Sequence, residues 1–125
     1  MMKKSLKLGL ATLALMFVSN IASAQFKMDS DGKTLRNSSN STVGRIDSDG
    51  KTIRNSSNST VGKVDSDGKT IRNSSNSTVL KIDGDNIRNS SNSTIAKMSD
   101  VTRDIKGAKQ DAAHVALWWF LVKGN

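Results

Sequence analysis

The 125-residue chain contains no cysteine, proline, tyrosine or glutamate, and aromatic residues make up only 4% of it. Without cysteine there are no disulfides and no thiolate metal sites to add stability, and no thiol to carry a lipid anchor. With so few aromatics the core has to come from aliphatic burial. One histidine, His114, is present, and no cysteine or seryl motif stands ready to make a catalytic triad with it. Packing with one hydrogen bond accounts for it better than chemistry or metal binding.

What is present begins with a leader. Lys3, Lys4 and Lys7 precede an apolar run from Leu8 to Val18, and Ala22-Ser23-Ala24 supplies the small residues a signal peptidase requires. This is the pattern of a secretory signal peptide over residues 1–24, cleaved after Ala24. The run falls short of the ~20 apolar residues a membrane-crossing helix needs, so no transmembrane span is expected after its removal. Three of the 19 Lys and Arg leave with the leader, which lowers the net charge from +8 to +5 and leaves 101 of 125 residues. Export argues against nucleic acid as the counter-charge and for an anionic polymer or lipid of the cell envelope, in the periplasm or outside the cell.

The remaining chain is repetitive. Units of 18 residues start at Met28, Ile46 and Val64, one of 16 at Ile82, and a degenerate fifth at Met98, giving repeats 28–45, 46–63, 64–81, 82–97 and 98–108. Repeats of this length specify stacked or circular architectures. Taking Asp49-Gly50 as a two-residue type I′ turn places Ile46 opposite Ile53. Asp31-Gly32 and Asp67-Gly68 are its equivalents. A three-residue loop Ser56-Ser57-Asn58, with Asn58 left-handed, places Val61 opposite Ile53 as well. All three apolar residues then share one face, and a bulge near Gly62 absorbs the broken parity before Val64. In the 16-residue unit Gly84-Asp85 suits a type II′ turn and still sets Ile82 against Ile87. A two-residue deletion preserves facing where a one-residue deletion would reverse it, so the Ser- and Asn-rich pattern is a constrained hairpin and not disorder.

Residues 109–123 read as a helix that is apolar nearly all round, with Asp111 in its first turn and Val115, Leu117, Trp118, Trp119, Phe120 and Leu121 on its body. Such a helix must be enclosed. It fits inside a small barrel, which favours a closed ring of hairpins over a linear solenoid.

Five units of the form I-D-x-D-G-K-T-I-R-N-x-x-x-x-x-V-G-K, followed by an Ala-rich helix ending in Trp118-Trp119-Phe120, resemble the five-fold β-flower proteins of bacteria. The resemblance implies a mainly β fold: a shallow closed barrel of radial hairpins around a hydrophobic C-terminal helix, similar in outline to the Tubby C-terminal domain. It implies no established activity and no cofactor. Val101-Thr102 in place of Asp-Gly marks the fifth unit as irregular, and Gln25 to Met28 can supply a closing strand.

The pairs Asp29/Asp31, Asp47/Asp49, Asp65/Asp67 and Asp83/Asp85 open like calcium loops. They lack the downstream ligands, and a tight turn accounts for the same letters. No pair stands out as an acid and base for glycoside cleavage. Arg36, Arg54, Arg72 and Arg88 recur at outward positions, and Arg45, Lys63, Lys81 and Lys97 at unit junctions. On a ring they form circlets of positive charge that can touch anions or pair with neighbouring aspartates. The expected role is therefore a non-enzymatic binding or scaffold module of the envelope. The alternative is a lipid-associated protein using Trp118, Trp119 and Phe120.

Overall fold

Ile46 lies opposite Ile53, Val64 opposite Ile71 and Ile82 opposite Ile87, as the repeat requires. The computed structural model describes residues 25–123. The leader with its cleavage site lies outside the described residues. Ten strands form one sheet: β1 Phe26–Met28, β2 Thr34–Asn37, β3 Thr42–Ile46, β4 Thr52–Asn55, β5 Thr60–Val64, β6 Thr70–Asn73, β7 Thr78–Asp83, β8 Asn86–Asn89, β9 Thr94–Lys97 and β10 Ile105–Lys106. A helix α1, Met98–Asp104, connects β9 to β10, and α2, Ala112–Leu117, runs on into a π-helical turn, Trp118–Val122.

The Asp-Gly turns keep the expected register but not the expected type. A type I′ turn needs positive φ at both central residues, yet only the glycines have it, at 69° for Gly32, 74° for Gly50 and 71° for Gly68. The Gly50 N–H donates to the Asp47 carbonyl at 2.9 Å and the Asp47 N–H to that of Thr52 at 2.8 Å, so Ser48 to Lys51 form a four-residue loop. The cause is Asp49, whose carboxylate receives the N–H of Lys51 at 2.8 Å, the N–H of Thr52 at 2.9 Å and the Thr52 hydroxyl at 2.7 Å. In the short unit Asp83 pairs with Asn86, and only Gly84 of the Gly84-Asp85 pair has positive φ, 59°, as a type II′ turn requires.

At the other end of each hairpin Asn58 is left-handed at φ 68°, with Asn40, Asn76 and Asn92 alike. Val61 does not face Ile53, however. Arg54 pairs with Thr60 and Ile53 with Gly62, so Val61 is itself the bulge. The parity break falls one residue earlier than the apolar pattern implies, because the inward place is taken by a residue without a side chain.

The strand order is β10-β1-β2-β3-β4-β5-β6-β7-β8-β9. β1, from the segment preceding the first repeat, pairs antiparallel with β2 and parallel with β10. Among the described residues no ladder joins β9 to β10, so hydrogen bonds do not close the sheet. The fifth unit is not a hairpin. Without Asp-Gly the chain folds into α1, which returns it so that β10 enters beside β1 in the parallel sense.

Inside lie Leu35, Ile53, Ile71, Leu80 and Ile87 from the strands and Val115, Ala116 and Leu117 from α2, all at 0% exposure. The helix starts at Ala112 and not Lys109. Asp111 is its N-cap, its carboxylate accepting the His114 N–H at 2.9 Å. Eleven residues from Ala112 to Val122 give a rod of about 16 Å, roughly one strand length.

Candidate functional site

Each outward arginine is a strut. Arg36, Arg54, Arg72 and Arg88 bond Asp29, Asp47, Asp65 and Asp83 at 2.8, 2.7, 2.9 and 3.0 Å. Each also donates Nη1 to a loop carbonyl of its own hairpin, as Arg54 does to Asn58 at 3.1 Å. A planar guanidinium can hold a strand and a loop in fixed relation in this way. The first aspartate of every acidic pair is thereby committed to an arginine. In the three long units the second is committed to the turn.

The loop hydrogen bonds hold Asp49 and Asp67 down at about 2 from 3.8. For Asp49 the Thr52 hydroxyl contributes most, and for Asp67 the Lys69 and Thr70 amides. Asp31 is lowered by the Lys33 and Thr34 amides in the same way. Because the folded values lie below the unfolded ones, the stability these loops add is complete above pH ~4 and is lost as pH falls towards 2. Thermal melts should be flat from neutral pH to about 5 and drop between about 4 and 2. Replacing Asp49 and Asp67 together with Asn should lower the plateau and flatten that drop.

Over residues 18–120 the sequence matches the family described as 5-fold beta-flower protein. The chain belongs to that family. Curated proteins and solved structures gave no match.

The two ends of this beta-flower differ. At the Asp-Gly end His114, 3% exposed, sits with Nδ1 2.8 Å from Asp111 Oδ1 and Nε2 3.0 Å from the Gly32 carbonyl oxygen. Both partners are acceptors, so the ring pins the start of α2 to the first petal. Burial pushes the Asp111 carboxyl up, but the hydrogen bonds from His114 outweigh it and the net shift is down.

At the Asn-Ser end the helix emerges. Trp118 is enclosed, its Nε1–H donating to Asp104 at 2.8 Å, with Lys123 Nζ 5.5 Å from its ring centre. Trp119, Phe120, Leu121 and Val122 are only half-buried. The π-turn, where the Lys123 N–H reaches back to Trp118 O at 2.8 Å, widens the helix at its exit. Val43, Val61 and Val79, the bulge residues of three petals, are half-buried against the core. Ile95, their counterpart at the unpaired edge of β9, is 39% exposed. Around this apolar centre stand the Asn-Ser loops, with Asn55 Oδ1 accepting the N–H of both Ser57 and Ser59 at 3.0 Å.

Beyond the struts a second pattern divides the cations. Among the described residues every arginine is in an ion pair and no lysine is. The sequence could not show this, because Arg45 and Lys63 occupy equivalent positions. It marked Gly62 only as the place of a bulge, although a glycine inside a strand can also mark a close approach. Here the approach is to Phe120, and at Gly44 to Leu121.

Proposed function

We propose that this chain is an exported, non-enzymatic module of the bacterial envelope that docks on a lipid surface through the Asn-Ser end of its barrel. The observation that carries the reading is the half-buried run Trp119, Phe120, Leu121 and Val122 at the end of the helix, with Leu121 against Gly44 and Phe120 against Gly62. Trp and Phe at an apolar tip suit the headgroup boundary of a bilayer. No helix among the described residues is long and apolar enough to cross a membrane, so the contact read here is at the surface. Charge points to the same partner: the formal +5 left after leader removal follows from 16 basic and 11 acidic residues, and among the described residues the lysines have no carboxylate partner. Arginine-based capture of an anionic polymer is less favoured, since Arg36, Arg54, Arg72 and Arg88 already hold aspartates. The barrel is read as a ring closed at the β9–β10 seam by side-chain packing. Met98, Val101 and Ile105, at 4%, 0% and 0% exposure, provide it.

The test is vesicle flotation of the mature protein with tryptophan emission read alongside. Co-flotation with a blue shift is expected, and Trp119→Ser with Val122→Ser should reduce retention roughly tenfold. Failure of the parent protein to float with any vesicle would overturn the reading. So would concentration-dependent self-association, without lipid, that buries Trp119.

A further inference from the structure

Two grooves on the wall occupy equivalent places between neighbouring petals at the Asn-Ser end. One, of about 220 Å³, is lined by Thr60, Gly62, Lys63, Asn73, Ser74 and Asn76. The other, of about 130 Å³, is lined by Gln25, Phe26, Lys27, Asn37, Ser38 and Lys106. Their equivalence lies in the register: Gly62 pairs with Asn73 and Lys63 with Arg72 in the first, and Phe26 with Asn37 and Lys27 with Arg36 in the second. In both, a lysine from one strand meets the Asn-Ser start of the next petal's loop.

The chemistry of the two grooves is alike. No carboxylate lines either. Arg72, opposite Lys63, is already neutralised by Asp65 at 2.9 Å, and Arg36, opposite Lys27, by Asp29 at 2.8 Å. Asn73 spends its Oδ1 on the N–H groups of Ser75 and Ser77 at 3.0 Å each, as Asn37 does on Ser39 and Ser41 at 2.9 and 3.0 Å. What each asparagine retains is its NH₂, a donor. Each groove thus offers an ammonium group, an amide donor and a serine hydroxyl, with nothing negative to answer them.

The other petal junctions lack this combination. Arg45, at the place of Lys63, lies 3.5 Å from Asp47. Lys81 lines a groove that also holds Asp67 and Asp83. At the far end of the barrel the groove beside His114 contains Asp31 and Asp111. Among these four grooves of the described residues, two are free of carboxylates and suited to an anion, and both lie at the Asn-Ser end.

We infer that these two grooves are headgroup-phosphate subsites, so that the docking face selects anionic lipids. Lys63 serves one and Lys27 with Lys106 the other. This rests on the proposed lipid docking and names its ligand chemistry. The apolar tip supplies insertion, and the flanking lysines set which headgroups are held.

The experiment compares flotation on phosphatidylcholine vesicles and on vesicles in which a third of the lipid is phosphatidylglycerol. Retention should be stronger on the second, fall with added salt, and drop roughly fivefold for each of Lys27→Gln and Lys63→Gln. Lys51→Gln with Lys69→Gln, at the opposite end and removing twice the charge of either single variant, should leave retention unchanged. Circular-dichroism melts confirm that the variants are folded. Equal loss in the Lys51/Lys69 variant would overturn the inference, because net charge and not the grooves would then carry the attraction. Equal retention on both vesicles would overturn it while leaving lipid docking intact. Retention on neither would remove the docking reading and the inference together.

Discussion

Gly62→Val should lose about 3 kcal/mol of folding free energy, or roughly 15 °C of melting temperature in a chain this size. A Cβ at Gly62 would come within 2.6 Å of the Phe120 Cζ and 2.7 Å of the Arg72 carbonyl oxygen. A ring at the end of a helix can yield a little, but a carbonyl held in the β5–β6 ladder cannot. Phe120→Ala in the same chain should therefore recover part of the loss. A double-mutant cycle should give a coupling of about 1 to 2 kcal/mol. Chemical denaturation of the four proteins measures it, and additive effects would show that the glycine is not there for the helix.

Leu80→Ala is the converse and should cost about 3 kcal/mol, within the range for a fully buried leucine. Leu80, at 0% exposure, occupies in β7 the place that Gly44 and Gly62 occupy in β3 and β5, and Ala96 holds it in β9. Glycine, glycine, leucine and alanine around one helix make an asymmetric socket. The two glycines receive Leu121 and Phe120, and a larger residue fills the wall where the helix stands further off. Petals that look interchangeable by sequence are thus fixed in order. A loss under 1 kcal/mol for Leu80→Ala would contradict this account.

Much of the fold can be read from period and turn chemistry. Ile46 against Ile53 follows from side-chain alternation, and the left-handed Asn58 follows from what asparagine tolerates. The short petal obeys the same rule, since removal of two residues keeps Ile87 inside. What could not be read depends on contacts made between the sheet and the helix. Val61 has the hydrophobicity of an inward residue and Gly62 has none, yet helix packing reverses their roles. The type I′ reading failed because Asp49 bonds its own loop, a local competitor that the dipeptide does not reveal. The fifth unit was visibly irregular, but nothing in Met98 to Asp104 announced that a helix would replace the hairpin. At the docking end the aromatic residues were legible as a group. The division between committed arginines and free lysines was not, because it depends on which cation each aspartate can reach.

The β1–β10 pairing also sets an order of events in folding. Each regular hairpin closes between residues near in sequence, as Ile46 does with Ile53, whereas Phe26 must find Ile105 across all four regular petals. Loop closure over so many residues is slow compared with hairpin formation. Petals should form early, with β10 docking beside β1 last. A refolding experiment should therefore show a fast gain of strand signal, followed by a slower burial of Trp118 as β10 and the helix lock into place.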